Sequence, residues 1–434
     1  MHYYSLNKRS PKVSFKEATI QGQAPDRGLY FPERIPVLPQ HFFDDIENKS
    51  REEIAYTVIE PYVGETIPGA ELENIISQTI NFEFPLQKIT DSIYALELFH
   101  GPTLAFKDVG ARFMSRCLGY FVEKSDKAIT VLVATSGDTG GAVANGFYGI
   151  EGVNVVILYP SGKVSSVQEL QLTTLGKNIR ALEINGRFDD CQHMVKQAFA
   201  DKELADAVFL TSANSINVAR WLPQQFYYFF ACQQWQEKNS PPVVSVPSGN
   251  FGNICAGILA HQSGLPVQHF IAACNANDII PRFLQKGELQ TRDAVPTLSN
   301  AMDVGNPSNF VRILEIFNQQ LPTLKNKLSS YSISDVDTVD TIKNVFEKHG
   351  YMLDPHAAVG YCALESYLLN NSGNKGIVLE TAHPVKFPEA VEKITNQQIE
   401  IPGTITYLLN KKKEAVKMEA DYQQLKEYLM SANR

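Results

Sequence analysis

From about residue 90 onward, short runs of consecutive apolar residues alternate with amphipathic stretches. The runs ITVLVAT (129–135), VNVVILYP (153–160), IRALEIN (179–185), AVFLTSA (207–213), VVSVP (243–247), VQHFIAACN (267–275) and GIVLETA (376–382) are rich in β-branched residues. Most are bounded by Gly, Pro or Asn. Their length and composition predict strands. Between them, GGAVANGFYG, SVQELQLTTLG, DDCQHMVKQAFAD, PQQFYYFFACQQW and NICAGILAHQSG carry helical patterns. Strand–helix alternation with continuously apolar strands predicts an α/β fold whose parallel sheets are covered on both faces.

The first 90 residues read differently. Turn-forming Gly22, Pro25, Gly28, Pro32, Pro36 and Pro39 are followed by two helical patterns, REEIAYTVIEPYV and GAELENIISQTINF. In the second, Leu72, Ile75, Ile76 and Ile80 share one face. A small N-terminal domain is expected over 1–90, a larger domain over 91–114 and 213–434, and an inserted α/β domain over 115–212. The stretch MEADYQQLKEYLM, with Tyr422, Leu425, Tyr428 and Leu429 on one face, predicts a packed terminal helix.

Composition adds exclusions. Net charge is −8 over 434 residues, with 44% apolar and 20% charged residues, which argues against a general nucleic-acid binder. Six cysteines are scattered without a CxxC pair or a nearby histidine at ligand spacing, so no metal site is expected and a reduced, cytoplasmic protein is. No apolar run approaches bilayer length, so no membrane partner is expected.

Candidate chemistry gathers in four segments. In LFHGPTLAFKDVGARFM (98–114), Lys107 follows a Gly-Pro turn and the apolar pair Ala105 and Phe106. Val109, Phe113 and Met114 then recur at helical spacing. A lysine at a shielded helix start has its amine pKa lowered by desolvation and by the positive helix end, and a neutral amine can form a Schiff base. SGNFGN (248–253) lies between a predicted strand and an apolar helix. Its glycines let the backbone approach an anion, its helix start favours phosphate, and Ser248, Asn250 and Asn253 add donors. It matches neither the Walker nor the dinucleotide-binding glycine pattern. SGDTGG (136–141) follows a strand in the same manner and is either a second anion site or a structural turn. Thr381 closes the strand GIVLETA at the end where α/β folds bind ligands. A Schiff-base lysine with a glycine-rich phosphate loop is the minimum equipment for holding pyridoxal phosphate.

The ordered motifs HGPTLAFKDVGARFM, TSGDTGGAVA, SANSINVAR, VPSGNFGN, LSNAMDVGNPSN, DPHAAVGY and TAHPVKF make the chain resemble the threonine synthase family, in its longer bacterial and fungal branch. The resemblance runs from YYSLNKRSPKVSFKEA through GLYFPERIP to near residue 390. It implies pyridoxal-phosphate fold type II, with two parallel-type α/β domains and a small N-terminal domain. It implies that Lys107 bears the cofactor, and that Ser248, Gly249, Asn250, Phe251, Gly252 and Asn253 hold the cofactor phosphate. Thr381 would meet the pyridine nitrogen, and Ser136, Gly137, Asp138 and Thr139 would form the substrate-carboxylate loop. The implied reaction converts O-phospho-L-homoserine and water to L-threonine and phosphate in a monomeric enzyme. Lys163, Ser215, Asn217 and Arg220 are candidates for clamping the substrate phosphate. Asn253 stands where the motif often has Asp. The competing readings are another fold-type II lyase, such as a dehydratase or phospholyase, and a non-catalytic phosphate- or nucleotide-binding module.

Overall fold

The computed structural model describes residues 1–123 and 128–432. The chain divides into two compact units, and each expected domain boundary shifts accordingly. One unit comprises Met1, Phe31–Phe106 and Trp221–Glu400; the other comprises His2–Tyr30, Lys107–Arg220 and Ile401–Arg434. The segment expected to stand alone over 1–90 is thus shared between them. Among the described residues no helix is long and apolar enough to cross a membrane.

The first unit is built on a six-stranded sheet. Its order is Leu328–Ser332, His269–Cys274, Val243–Pro247, Gly376–Glu380, Ile93–Glu97 and Leu86–Lys88. All neighbours are parallel except the last pair. The three central strands are buried along their whole length, as a sheet covered on both faces requires. Pro355–Asn370 is the principal cover. It starts at Asp354, whose carboxylate accepts from the N–H groups of His356 and Ala357, with Pro355 at the first helical position where no N–H is needed. Its Ala357, Ala358 and Leu364 pack with Ile271, Ala273 and Val378.

The N-terminal helices follow their sequence signals closely. Arg51–Val63 begins in a capping box between Ser50 and Glu53, and Pro61 is accommodated in its last turn. Gly69–Thr79 buries Leu72, Ile75 and Ile76, the face read from the sequence.

The second unit holds a five-stranded parallel sheet ordered Val416–Glu419, Ile179–Asn185, Val153–Pro160, Ile129–Ala134 and Leu210–Thr211. The run 207–213 contributes only that last two-residue strand, because Asp201 caps a short helix, Lys202–Ala207, through the Leu204 N–H. The long helix Lys107–Val122 buries Val109, Phe113, Met114, Cys117 and Leu118.

The tail differs most from expectation, since it belongs to this unit and not to the larger domain. Val416–Glu419 pairs in register with Leu182–Asn185. The helix Tyr422–Ala432 then buries Leu425 and Leu429 against a cluster containing Met194, Val195 and Leu204. Lys413, last of three consecutive lysines at 411–413, reaches Glu169 at 2.6 Å and Glu183 at 2.8 Å. Burying Leu425 completely makes the tail part of the core, so Leu425→Ala should lower unfolding free energy by about 2–5 kcal/mol in urea melts. A loss below roughly 1 kcal/mol would mean that the tail is only loosely attached.

Candidate functional site

In the second unit, Lys107 is the first residue of the helix Lys107–Val122. Its side chain is about four-fifths buried, and Nζ lies 3.8 Å from Asp138 Oδ2. Asp138 itself opens the helix Asp138–Phe147, directly after the strand Ile129–Ala134. The lysine therefore faces the loop that the sequence singled out as a second anion site. Thr135 organises that loop: its hydroxyl oxygen accepts from the N–H groups of Gly137 at 3.0 Å and Gly140 at 2.8 Å. Gly137, at the N-cap, has no side chain to cap the helix, and the Thr135 hydroxyl takes that place at the Gly140 N–H; a strand, a glycine turn and a helix start in this order form the frame of an anion site.

Gln168 is the residue that sequence reasoning missed here. It is buried, its Nε2 donates to Asp138 Oδ1 at 2.9 Å, and its Oε1 accepts from the Ser165 N–H at 3.1 Å. Gly137 has φ of 137°, and a Cβ there would lie 2.4 Å from Gln168 Cδ. The glycine thus permits both the unusual backbone and the close approach. The Ser165–Gln168 spacing signals a capping box, but nothing local signals that the same amide reaches residue 138.

The proposed clamp residues divide. Lys163 is exposed and sits in a turn after Val153–Pro160; the next helix is capped by Ser165, so Lys163 is not at a helix start. Asn217 is fully buried. Its Nδ2 donates to the Thr19 carbonyl at 2.8 Å and the Ser212 carbonyl at 3.2 Å, and its Oδ1 accepts from the Ala219 N–H at 3.0 Å. That amide is committed to backbone, so it shapes the SANSIN turn and does not face an anion. Arg220 is buried and donates to the Ala213 carbonyl of the same turn, while Ser215 is half-buried. Arg112, one turn beyond Asp108, is half-buried, while Asp108 is fully buried. Burial lowers the Arg112 pKa and the Asp108 charge opposes that.

In the first unit, Val243–Pro247 ends in SGNFGN, and the helix Gly252–Gln262 follows. Phe251, at its N-cap, adopts the left-handed conformation with φ of 60°, and no side chain caps the helix. A bulky residue there is strained and must be held by its surroundings. Phe310 packs edge-on against its ring at 5.5 Å, and the Asn250 carbonyl accepts from the Asn309 N–H at 3.3 Å and its Nδ2 at 3.1 Å. Gly249 lies against Met302; a Cβ there would sit 2.6 Å from the Met302 Cα. The segment LSNAMDVGNPSN is therefore the outer support of this loop.

Asn253 supplies the test of fit. Its carboxamide oxygen lies 2.8 Å from the Tyr228 hydroxyl, while its buried Nδ2 has no hydrogen-bond partner among the described residues. A buried donor beside an uncapped helix start awaits an acceptor. The donor set fits the phosphate of pyridoxal phosphate.

Thr381 follows the central strand Gly376–Glu380 and is nearly buried. Its carbonyl accepts from the Phe106 N–H at 2.9 Å, and Ala382 pairs with Ala105 in an isolated antiparallel bridge. The Phe106 carbonyl accepts from the Tyr227 hydroxyl. Phe106 immediately precedes Lys107, so the residue leading into the lysine is held through both its N–H and its carbonyl. Lys386 of HPVKF is fully buried and donates to the Thr103 carbonyl at 2.8 Å, bracing the same loop. His383 is a structural group here: its Nδ1 accepts from the Val385 N–H at 3.1 Å, and burial pushes its pKa down to about 4.

Comparison with known proteins agrees with this arrangement. Residues 81–380 match the family described as pyridoxal-phosphate dependent enzyme, 2–80 the threonine synthase N terminus, and 357–429 the threonine synthase C-terminal region. The chain is 45% identical to a threonine synthase from Haemophilus influenzae, over the whole of both chains. It resembles the crystal structure of threonine synthase from Escherichia coli with a TM-score of 0.92 at 42% identity, covering all of both chains. A pyridoxal-phosphate-bound threonine synthase from Brucella melitensis gives 0.93 at 35% identity, again over the full length of both. The chain belongs to the threonine synthase family of pyridoxal-phosphate-dependent enzymes.

Proposed function

We propose that Lys107 is the residue around which this chain converts O-phospho-L-homoserine and water to L-threonine and phosphate. The observation that carries the reading is the placement of Lys107. It is a shielded lysine at a helix start, preceded by a residue whose N–H and carbonyl are both held, with its amine directed at the Ser136–Thr139 loop. Bound pyridoxal phosphate supplies the electron sink that makes the substrate's Cα and Cβ protons removable.

The chain's own residues then do the following. Lys107 Nζ would hold the cofactor through its aldehyde carbon, and the same amine, when free, would take the proton from Cα and then one from Cβ. Phosphate departs from Cγ, a proton is delivered to Cγ, and water adds at Cβ before the Cα proton is restored. The loop of Ser136, Gly137, Asp138 and Thr139 binds the substrate carboxylate at the start of Asp138–Phe147, with its turn held by the Gly137 N–H bond to the Thr135 hydroxyl oxygen. The Asp138 side chain is occupied by Gln168, which keeps its negative charge directed away from that carboxylate. Ser248 through Asn253 hold the cofactor phosphate. Thr381 presents a neutral hydroxyl to the pyridine nitrogen, which moderates the sink compared with a carboxylate partner.

For the leaving phosphate, Ser215, Arg220 and Lys163 remain the proposed contacts, with Asn217 shaping the turn that carries two of them. The reading extends to a monomer acting in the cytoplasm on a small-molecule substrate. Six free cysteines, four of them buried, support a reducing environment.

The direct test is to supply O-phosphohomoserine and assay threonine and phosphate together. Equal yields are expected; phosphate without threonine would favour the phospholyase reading. Lys107→Ala should abolish the visible band of bound cofactor and lower turnover by at least about 10³-fold. A variant that keeps both would remove Lys107 from the reaction.

Gly252→Val puts a branched side chain at the start of the phosphate helix. It should weaken binding of pyridoxal phosphate by about tenfold or more while circular dichroism stays unchanged; unaltered affinity in a titration would displace the phosphate from this loop. Thr381→Ser should retain activity, whereas Thr381→Asp should change the spectrum of bound cofactor and the partition of products. If Asp leaves both as they were, Thr381 does not touch the ring.

A further inference from the structure

Beneath SGNFGN lies a buried cation that the reaction does not use directly. Arg312 is fully buried, and its guanidinium carbon stands 4.2 Å from the centre of the Trp221 ring, itself fully buried. Its Nη1 donates to Asn309 Oδ1 at 2.7 Å. Asn309 is also fully buried, and its Nδ2 donates to the Asn250 carbonyl at 3.1 Å. The Ser308 N–H donates to Asn250 Oδ1 at 2.7 Å. A line of contacts therefore runs from Trp221 through Arg312 and Asn309 into the third residue of the loop.

We propose that Arg312 is a positioning residue for the cofactor-phosphate loop, acting through the orientation of the Asn309 carboxamide. The inference rests on the reading that SGNFGN holds the cofactor phosphate.

A carboxamide presents an acceptor on one side and a donor on the other, and either orientation fits the same volume. A guanidinium has donors only. Against Arg312, Asn309 must turn its oxygen inward, so its NH₂ must face Asn250. With the amide reversed, two carbonyl oxygens would oppose each other in a buried setting. The consequence reaches the ligand through peptide geometry. In a trans peptide, the carbonyl of residue 250 and the N–H of residue 251 point to opposite edges. Fixing the Asn250 carbonyl towards Asn309 aims the Phe251 N–H the other way and stabilises Phe251 at its positive φ. Trp221 holds the guanidinium in plane, as a cation–π contact in a dry site does.

The experiment compares two ligands on the full-length protein freed of cofactor: pyridoxal phosphate, and pyridoxal, which lacks the phosphate. Wild type should strongly prefer the phosphorylated form, and Gly252→Val should erase that preference. If wild type shows no preference, the phosphate-loop reading itself falls, and this inference with it. Given the preference, Arg312→Met and Asn309→Asp should each weaken pyridoxal phosphate binding by about tenfold or more and leave pyridoxal affinity unchanged. Arg312→Lys, which still only donates, should restore most of the preference. Asn309→Asp guards against misfolding as an explanation: its charge-assisted pair with Arg312 offsets the oxygen it sets against the Asn250 carbonyl and should keep the melting temperature, while the side-chain donor to Asn250 is removed and the residue 309 N–H remains. Equal losses for both ligands, or no loss for either, in Asn309→Asp would overturn the proposal even if Arg312→Met fails to fold.

Discussion

The backbone of Phe106, the residue before Lys107, is the constraint from which the chemistry follows. Its carbonyl is held by the Tyr227 hydroxyl, and the Phe106 N–H is held by the carbonyl of Thr381 at the end of the central strand. A lysine side chain has four rotatable carbons and much rotamer entropy to lose. Anchoring the backbone just before it removes the uncertainty at the root, so the remaining freedom lies in the side chain alone. Lys386, buried and bonded to the Thr103 carbonyl, braces the approach to that residue from a motif far along the chain. The reactive amine is thereby placed by three contacts to backbone, none of which involves the amine itself.

A second theme is the burial of polar groups behind the ligand-facing surfaces. Glu380 is fully buried in the central strand beside Thr381, and burial, reinforced by the nearby Asp354 charge, raises its carboxyl pKa well above the usual range. The Tyr351 hydroxyl touches both Glu380 and Glu97. One phenol proton serves one of those contacts; a carboxyl kept neutral by burial carries the proton for the other. Asp354 meanwhile caps the helix Pro355–Asn370 and bonds His356 Nδ1 at 2.6 Å, while His356 Nε2 accepts from the Ala301 N–H at 3.2 Å. Ala301 precedes Met302, the residue against which Gly249 is pressed. The DPHAAVGY motif therefore contributes to the phosphate loop's support through backbone it fixes, without any group that meets a ligand.

Much of the fold was legible because its strongest signals are local. Val153–Pro160, Ile179–Asn185 and Val243–Pro247 have the bounds read from their apolar runs, and Arg51–Val63 starts and stops where its pattern does. Among the elements that escaped are two whose hydrophobicity does not announce them. LSSYS at 328–332 forms a strand at the sheet edge, where one side needs no burial, and VKME at 416–419 does so inside a charged tail. The division into units escaped for a related reason: strand pairing between 416–419 and 182–185 is a long-range event with no signature in either segment.

The site shows the same limit more sharply. Lys107, the two glycine loops and Thr381 could be proposed because a lysine at a helix start, glycines between a strand and a helix, and a threonine at a strand end each leave a mark in sequence. Gln168, Tyr227, Asn309 and Arg312 leave none, since a buried polar side chain is defined by what it touches. Asn217 makes the converse point. It sits in a motif shared with the family, yet its amide is fully spent on the carbonyls and N–H groups of its own turn and of Thr19. Membership of a motif thus says that a residue is needed, and the hydrogen-bond accounting says for what. Where both ends of a carboxamide are satisfied by backbone, the need is shape; where a buried donor such as Asn253 Nδ2 is left over, the need is a ligand.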